Sequence, residues 1–557
     1  MRRSSFFVVL MLVLAPMLIV GAGRARIAPQ IPGADRTTGR VFLERAEQLR
    51  KATADSFMVV VGNVVFTRGP MIMRCDSAHY FPDTESLDAF GNVSMEQGDT
   101  LFVYADELAY DGPAQVATLY ANPGKKVRLI NRDVTLETDI FVYDLGIDLG
   151  YYEVGGRLFD KSNVLTSLKG EYIPSTKEAN FYTDVHLLSE GEDDTLNIWS
   201  DTLYYNTATH IAELNSPSRV VNRRATIFTV NGIYETDSDR TQLYDRSLIV
   251  TPEGRSLVAD TIYYDRRTGI GEAFGNMILS DSAHKASVYG DYGFYNELMD
   301  SSFVTGRAAL SVVQGGDNED TLWAHGRYIQ TMRVFDSIHV EEDTIAGTAA
   351  YTRIDTSHVA LMYPRVRFYR SDMQGVCDSM RFTERDSTLR MYRHPVVWNE
   401  ERQVFGNVIE LLLNDSTIER ATLPDKAFTA QLIEGEHYNQ MSGNEMIAHF
   451  EDGSMRRLNI NGTVEIIMYP EESDSTINKM VNAQSSYLEA YFKGQTTERI
   501  KMWPETTGVA TPLFLARKAN YYLPKFKWYE GIRPLSKEDI FVIPDEMEVL
   551  MASPDVK

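Results

Sequence analysis

Cysteine is almost absent from this chain: 557 residues carry two, Cys75 and Cys377. That excludes a disulfide-framework fold. Two thiols in separate segments cannot build a structural zinc site either. Basic charge is in deficit. Lys and Arg number 55 against 78 Asp and Glu, a formal net charge of −23. Such a chain repels phosphate backbones and anionic headgroups, so no nucleic acid is expected as a partner. There is no Gly-x-Ser-x-Gly, no Gly-x-x-x-x-Gly-Lys-Ser/Thr and no His-Glu-x-x-His, and the ten histidines show no metal-ligand spacing. The sequence therefore assigns no catalytic residue, no metal and no cofactor. Helical spacing is scarce too. Only "RVFLERAEQLRKA", residues 40–52, reads as a helix.

One long apolar run exists, Phe6 to Val20, behind Arg2 and Arg3 and ahead of the small residues Gly21, Ala22 and Gly23. It reads as a signal peptide over residues 1–23, with an uncleaved N-terminal anchor as the alternative. The body is expected to be exported.

What the chain does contain is a repeated phrase. "CDSAHYFPDTESLDAFGNV" (75–93) returns as "ADTIYYDRRTGIGEAFGNM" (259–277). The probe Asp-x-x-x-Tyr occurs at Asp76–Tyr80, Asp106–Tyr110, Asp139–Tyr143, Asp201–Tyr205, Asp260–Tyr264 and Asp291–Tyr295. Glu171 and Gly232 fill the two gaps imperfectly, and "CDSMRF", with Asp378 and Phe382, is a weaker late copy. Even offsets share one face of a strand. Leu108, Phe141, Leu203 and Ile262 therefore point the same way as Tyr110, Tyr143, Tyr205 and Tyr264, onto the inner face. Turn signals such as Asp111-Gly112-Pro113 follow. Each unit reads as strand, turn, strand, corner. The recurrent Asp is expected at the strand mouth, accepting hydrogen bonds from turn amides, because a ladder of carboxylates in a dry core is prohibitive. Binding of cations along it is the alternative.

The clearest hairpin is 445–469, with Met446, Ala448 and Phe450 on one face and Leu458, Ile460, Val464, Ile466 and Met468 on one face of the returning strand. Stacked units of this kind form an all-β extended repeat array with one apolar interior. Cys75 and Cys377 occupy the same place in units far apart, so both are expected free and mostly buried. The expected organisation is a leader (1–23), a linker with a short helix (24–55), a repeat array (56–310), looser connecting repeats with acidic loops (311–371), a second repeat region (372–511), and a C-terminal cap or docking segment (512–557).

The ordered phrases "GNVVF" (62–66), "CDSAHY" (75–80), "AFGNVSMEQGDT" (89–100), "YADELAYDG" (104–112), "SDTLYYN" (200–206) and "ADTIYYD" (259–265) resemble the OstA-like family, LptA-related periplasmic lipopolysaccharide-transport proteins. Later segments, "DMQGVCDSM" (372–380) and "YNQMSGNEM" (438–446), look like its large variety. The resemblance implies a β-jelly roll of two sheets, with lipid acyl chains between them and the sugar outside. Leu108, Tyr110, Phe141, Tyr143, Leu203, Tyr205, Ile262 and Tyr264 are then the interior lipid-binding candidates. It also implies a periplasmic location, lipopolysaccharide as ligand, and transport-machinery partners of both membranes joined by edge-strand addition. The chain departs from the family in length and in its acidity, which would require divalent cations beside lipid phosphates. Two other readings stay open: a polysaccharide-acting β-solenoid enzyme, and a scaffold assembled through edge strands.

Overall fold

The computed structural model describes residues 39–51, 57–191, 194–314, 320–344, 347–414, 417–451, 453–472, 476–493 and 496–552. The expected leader lies outside the described residues. Strand makes up 67% and helix 5%, so the fold is all-β, as the repeat predicts. Two compact units result: residues 39–252 with 260–267, and residues 253–259 with 268–552. The expected boundary at 310/311 is not a break. Ala309–Gln314 is one strand, paired on both sides within the second unit. Of the acidic runs expected there as loops, Glu341 to Asp343 lie in the strand Tyr328–Thr344, and residues 316–319 lie outside the described residues.

The expected helix over 40–52 is not formed. Phe42–Arg45 and Gln48–Lys51 are strands, paired with the two halves of Met58–Arg68. Phe42 and Leu49 stay exposed, so no apolar helical face was available to bury. The open edge of the sheet offers backbone partners instead, and this overrides local propensity.

The recurring Gly-Asn makes a crease. Met71–Phe81 pairs on one sheet through residues 71–74 and on another through residues 77–81, with a register shift between. Its neighbours bend at Gly62-Asn63 (φ 86° and 43°) and Gly91-Asn92 (75° and 44°), and Gly275-Asn276 repeats this in the second unit (73° and 44°). Two successive left-handed residues suit Gly and Asn and few others. The recurrent Asp completes the crease from outside. Asp76 Oδ2 accepts from Asn92 Nδ2 at 2.8 Å, and a Cβ on Gly91 would run into that carboxylate. Asp106 accepts from the Asn122 backbone N–H at 2.8 Å and pairs with Lys125; Asp139 pairs with Lys126 and Asp260 with Arg246.

The residue before each Asp is small. Where it carries a hydroxyl or thiol, that group can donate to the carbonyl two residues on: Thr138 to Ile140, Ser200 to Thr202, Cys377 to Ser379. Cys75 and Cys377 are both free and buried, as expected, and burial pushes the Cys75 thiol up to about 11.

In the first unit the crease separates two half-sheets. On one, interior positions run Tyr80–Leu87–Tyr110–Ala117–Tyr143–Gly150–Tyr172–Ala179–Tyr205–Ala212–Tyr234–Thr241–Tyr264 across successive strands. This register corrects the two gap assignments. Tyr172 and Tyr234 share the row of Tyr143 and Tyr205, so the crease positions are Leu168 and Val230, not Glu171 and Gly232. Both are exposed apolar residues standing where other units have Asp. On the facing half-sheet one apolar row, aliphatic after its first residue, runs from Phe66 through Met73, Leu129, Leu158, Leu187 and Ile198 to Ile249.

The second unit keeps the crease at Gly306-Arg307 and Gly462-Thr463. Within the expected hairpin, Met446, Ala448, Leu458, Ile460, Val464 and Ile466 are buried, but the returning strand bends at Gly462 and its far half pairs with His437–Gly443. Two features set this unit apart. The first is a long ribbon. In Tyr328–Thr344 and Gly347–Tyr363 only the ends near Tyr328 and Tyr363 pair with other strands, and the rest pair with each other for about 40 Å. At its base His358 lies between two carboxylates, Nε2 2.8 Å from Asp300 and Nδ1 2.9 Å from Glu384, while Arg333 donates to Asp300.

The second feature is the described part of the C-terminal segment, residues 513–552, which folds back over the outer face. Gln403 Nε2 donates to the Lys527 carbonyl and its Oε1 accepts from the Tyr529 N–H; Gln440 does the same with Tyr521 and Leu523. The buried Arg367 guanidinium donates to the carbonyls of Ile532 and Asp539. Beneath this strap, Val376, Val396 and Trp398 are buried against Ile532 and Met547.

Three outcomes follow. Gly91→Ala forces a Cβ against Asp76 at positive φ and should lower stability by about 1–3 kcal/mol, read by denaturant unfolding; an unchanged midpoint removes the crease argument. Gln403→Ala leaves a strap N–H and C=O unpaired and should cost about 2 kcal/mol, with limited proteolysis after residue 512 as the second readout. For the ribbon, burial alone would lower the His358 pKa, but the hydrogen bonds to Asp300 and Glu384 prevail and raise it. Its stabilisation is therefore complete below the unfolded value near 6.5 and fades as pH rises through the folded one. Amide protection at residues 332–335 and 355–358, taken relative to intrinsic exchange, should fall as pH rises above about 6.5, and His358→Gln should flatten that profile. A profile as steep in the variant would show that His358 is not the titrating group.

Candidate functional site

The interior of the first unit holds the residues predicted from sequence. Leu108, Phe141, Leu203 and Ile262 are buried on the inner face, as are Tyr110, Tyr143 and Tyr205, while Tyr264 is half-buried. The alternation of tyrosine with a small residue follows from strand spacing. Neighbouring strands lie about 4.8 Å apart, too close for two rings inclined along the row. Gly170 shows it in the adjacent inner row, where a Cβ would meet the ring of its partner Tyr152; a Cβ on Gly150 would overlap the ring of Phe141, from that same adjacent row.

The tyrosine hydroxyls reach the other half-sheet at its edge away from the crease. Tyr143 Oη donates to Gln97 Oε1 at 3.2 Å and also bonds Asp148. Tyr172 Oη accepts from Asn131 Nδ2 at 2.9 Å. Tyr205 Oη donates to Asp160 Oδ2 at 2.8 Å and accepts from Asn163 Nδ2 at 2.9 Å. These bonds latch the mouth between the half-sheets. Burial, then the nearby carboxylates, push the Tyr143 and Tyr205 hydroxyls well above the ordinary tyrosine range, and burial takes Tyr152 to about 12. All stay protonated donors.

The densest latch surrounds Asp160, 1% exposed. Its Oδ2 also lies 2.9 Å from His210 Nδ1, and His210 Nε2 lies 2.8 Å from Lys161 Nζ. With the imidazole proton on Nδ1, His210 donates to Asp160 and accepts from the Lys161 ammonium, while Asn163 Oδ1 is left without a partner among the described residues. Among the described residues no group of three or more His, Cys, Asp or Glu side chains is placed to hold a metal.

Sequence reasoning missed the latch partners Gln97, Asn131, Asp160, Asn163, Lys161 and His210. They sit at strand ends and turns; what identifies Gln97, Asn131, Asp160 and Asn163 is a tyrosine some 40 residues away, and what identifies Lys161 and His210 is their contact with that Asp160 cluster. Tyr172 and Tyr234 were recoverable, since the spacing of the tyrosines alone, without the Asp, runs evenly through both gaps.

No curated protein matches the chain. Residues 38–193 and 189–239 match the family model described as OstA-like protein. The crease, the tyrosine row and the latches thus belong, over residues 38–239, to an OstA-like segment, consistent with an OstA/LptA-related family.

Proposed function

We propose that this protein is a non-enzymatic periplasmic carrier, exported by its leader, that shields lipopolysaccharide acyl chains between the inner and outer membranes. The observation that carries the reading is the coincidence of the OstA-like match with an unbroken apolar row from Phe66 to Ile249. An acyl chain entering between the half-sheets exchanges apolar contact for apolar contact. What it must overcome is the latches, each worth about 1 kcal/mol net. Burying one or two lipid methylenes, about 0.8 kcal/mol each, offsets one latch. Partners of the transport machinery would join through exposed strand edges.

A second reading, a rigid scaffold, is favoured by the same latches and by the fully buried Tyr143, Tyr172, Tyr205, Phe141 and Phe181. Locking the mouth separates the two. Asn131→Cys with Tyr172→Cys, joined by a short thiol-to-thiol crosslinker, should abolish co-purification of lipopolysaccharide while the uncrosslinked variant retains it. Photo-probes at Leu108 and Leu203 should capture the lipid in cells. A protein that holds no lipopolysaccharide in either state and captures none leaves only the scaffold.

A further inference from the structure

The outer face of the first unit carries a groove of about 640 Å³, bordered by Trp199, Arg219, Phe228, Val230 and Leu248. His186, Trp199, Arg219, Phe228 and Leu248 form one cross-strand row. The His186 ring stacks on Trp199 at 5.0 Å, and the Arg219 guanidinium lies 5.3 Å from the Trp199 ring centre. Trp199, Phe228 and Val230 are 39%, 45% and 49% exposed. Earlier in the same row stand Ser94, Arg128, Glu137, Arg157 and Thr166, with Tyr104 the one ring. The row is mostly polar, then turns aromatic.

The second unit shows what an apolar stretch of this row is for. Trp199 precedes the crease residue Ser200 as Val376 precedes Cys377. The row there runs Arg367–Val376–Val396–Phe405–Phe428 and is covered by the extended strap. The strap is held by side-chain amides three residues before the crease residue: Gln374 before Cys377, Gln403 before Gly406, Gln440 before Gly443. The residue at that position in the first unit, three before Ser200, is Asn197. Its Oδ1 is engaged by His186 Nε2 at 2.9 Å. Among the described residues no group accepts from its NH2.

We propose that this groove is a second strap site, built to receive an extended polypeptide segment of a partner protein. The Asn197 amide donates to a backbone carbonyl of the segment, and its apolar or aromatic side chains pack on Trp199, Phe228 and Leu248. The occupant is a polypeptide because the same face of the same fold, with the same amide position, takes one in the second unit. This inference does not depend on the lipid reading.

The probe is a fluorescein-labelled peptide of residues 520–533, the aromatic part of the chain's own strap, added to the full-length protein. We expect saturable binding, weakened about tenfold or more by Asn197→Ala and by Trp199→Ala and unchanged by Glu137→Ala in the polar part of the row. Circular dichroism melting checks that each variant stays folded, and Asn197→Ala, at a partly exposed position, guards against misfolding of the Trp199 variant. Absence of saturable binding overturns the proposal. So does binding that ignores both substitutions, or appears only once Gln403→Ala loosens the resident strap. Self-association abolished by Trp199→Ala, without peptide binding, would assign the groove to a second copy and overturn it as well.

Discussion

Strands in a sheet stand about 4.8 Å apart, and every side chain in a cross-strand row must live with that spacing. Most of this protein follows from it. A tyrosine ring leaning along the row needs a small neighbour, so Ala117, Gly150, Ala179 and Ala212 alternate with Tyr110, Tyr143, Tyr172, Tyr205 and Tyr234. The alternation sets a period of two strands on each half-sheet, about thirty residues of chain. The repeat in the sequence is thus the packing period of an aromatic row.

The crease is the second consequence. A strand that belongs to both half-sheets must turn sharply without breaking its hydrogen bonds to either neighbour. Gly91-Asn92 does so with two left-handed residues, and the Asp76 carboxylate ties the bend from the adjacent strand. A small residue beside the Asp leaves room, and its hydroxyl or thiol can serve a carbonyl freed there. Cys377 is a thiol in a position that Ser200 and Thr138 fill with hydroxyls. Its chemistry there is that of a weak donor of the right size.

Legibility in the sequence tracks how local each feature is. Face alternation within one strand placed Leu108, Phe141, Leu203 and Ile262 inside, and the repeated Gly-Asn marked the creases. What needed a partner far along the chain was not legible. The latch of Tyr172 to Asn131 spans 41 residues, and Gln403 reaches Lys527 across 124. The Asp-based alignment misplaced two units because Leu168 and Val230 replace the Asp, while the row constraint keeps the tyrosine. Residues 40–52 read as a helix because helical spacing says nothing about whether a sheet edge is waiting for backbone partners.

The two faces of the first unit differ in chemistry. The interior is closed by polar latches over apolar rows, so the proposed lipid would have to be thin enough to exchange with side chains. The outer face offers amides and rings, which suit backbone and aromatic groups. Polar outer positions stay polar where they meet water, as at Arg128 and Glu137, which pair at 3.4 Å. Apolar outer positions in the second unit are covered by the strap, and burying Val376, Val396 and Trp398 there stabilises by roughly 1.5–3 kcal/mol each. A chain with the same fold and an uncovered aromatic stretch forgoes that gain until something lies on it, and in this fold the thing that lies on such a stretch is extended polypeptide.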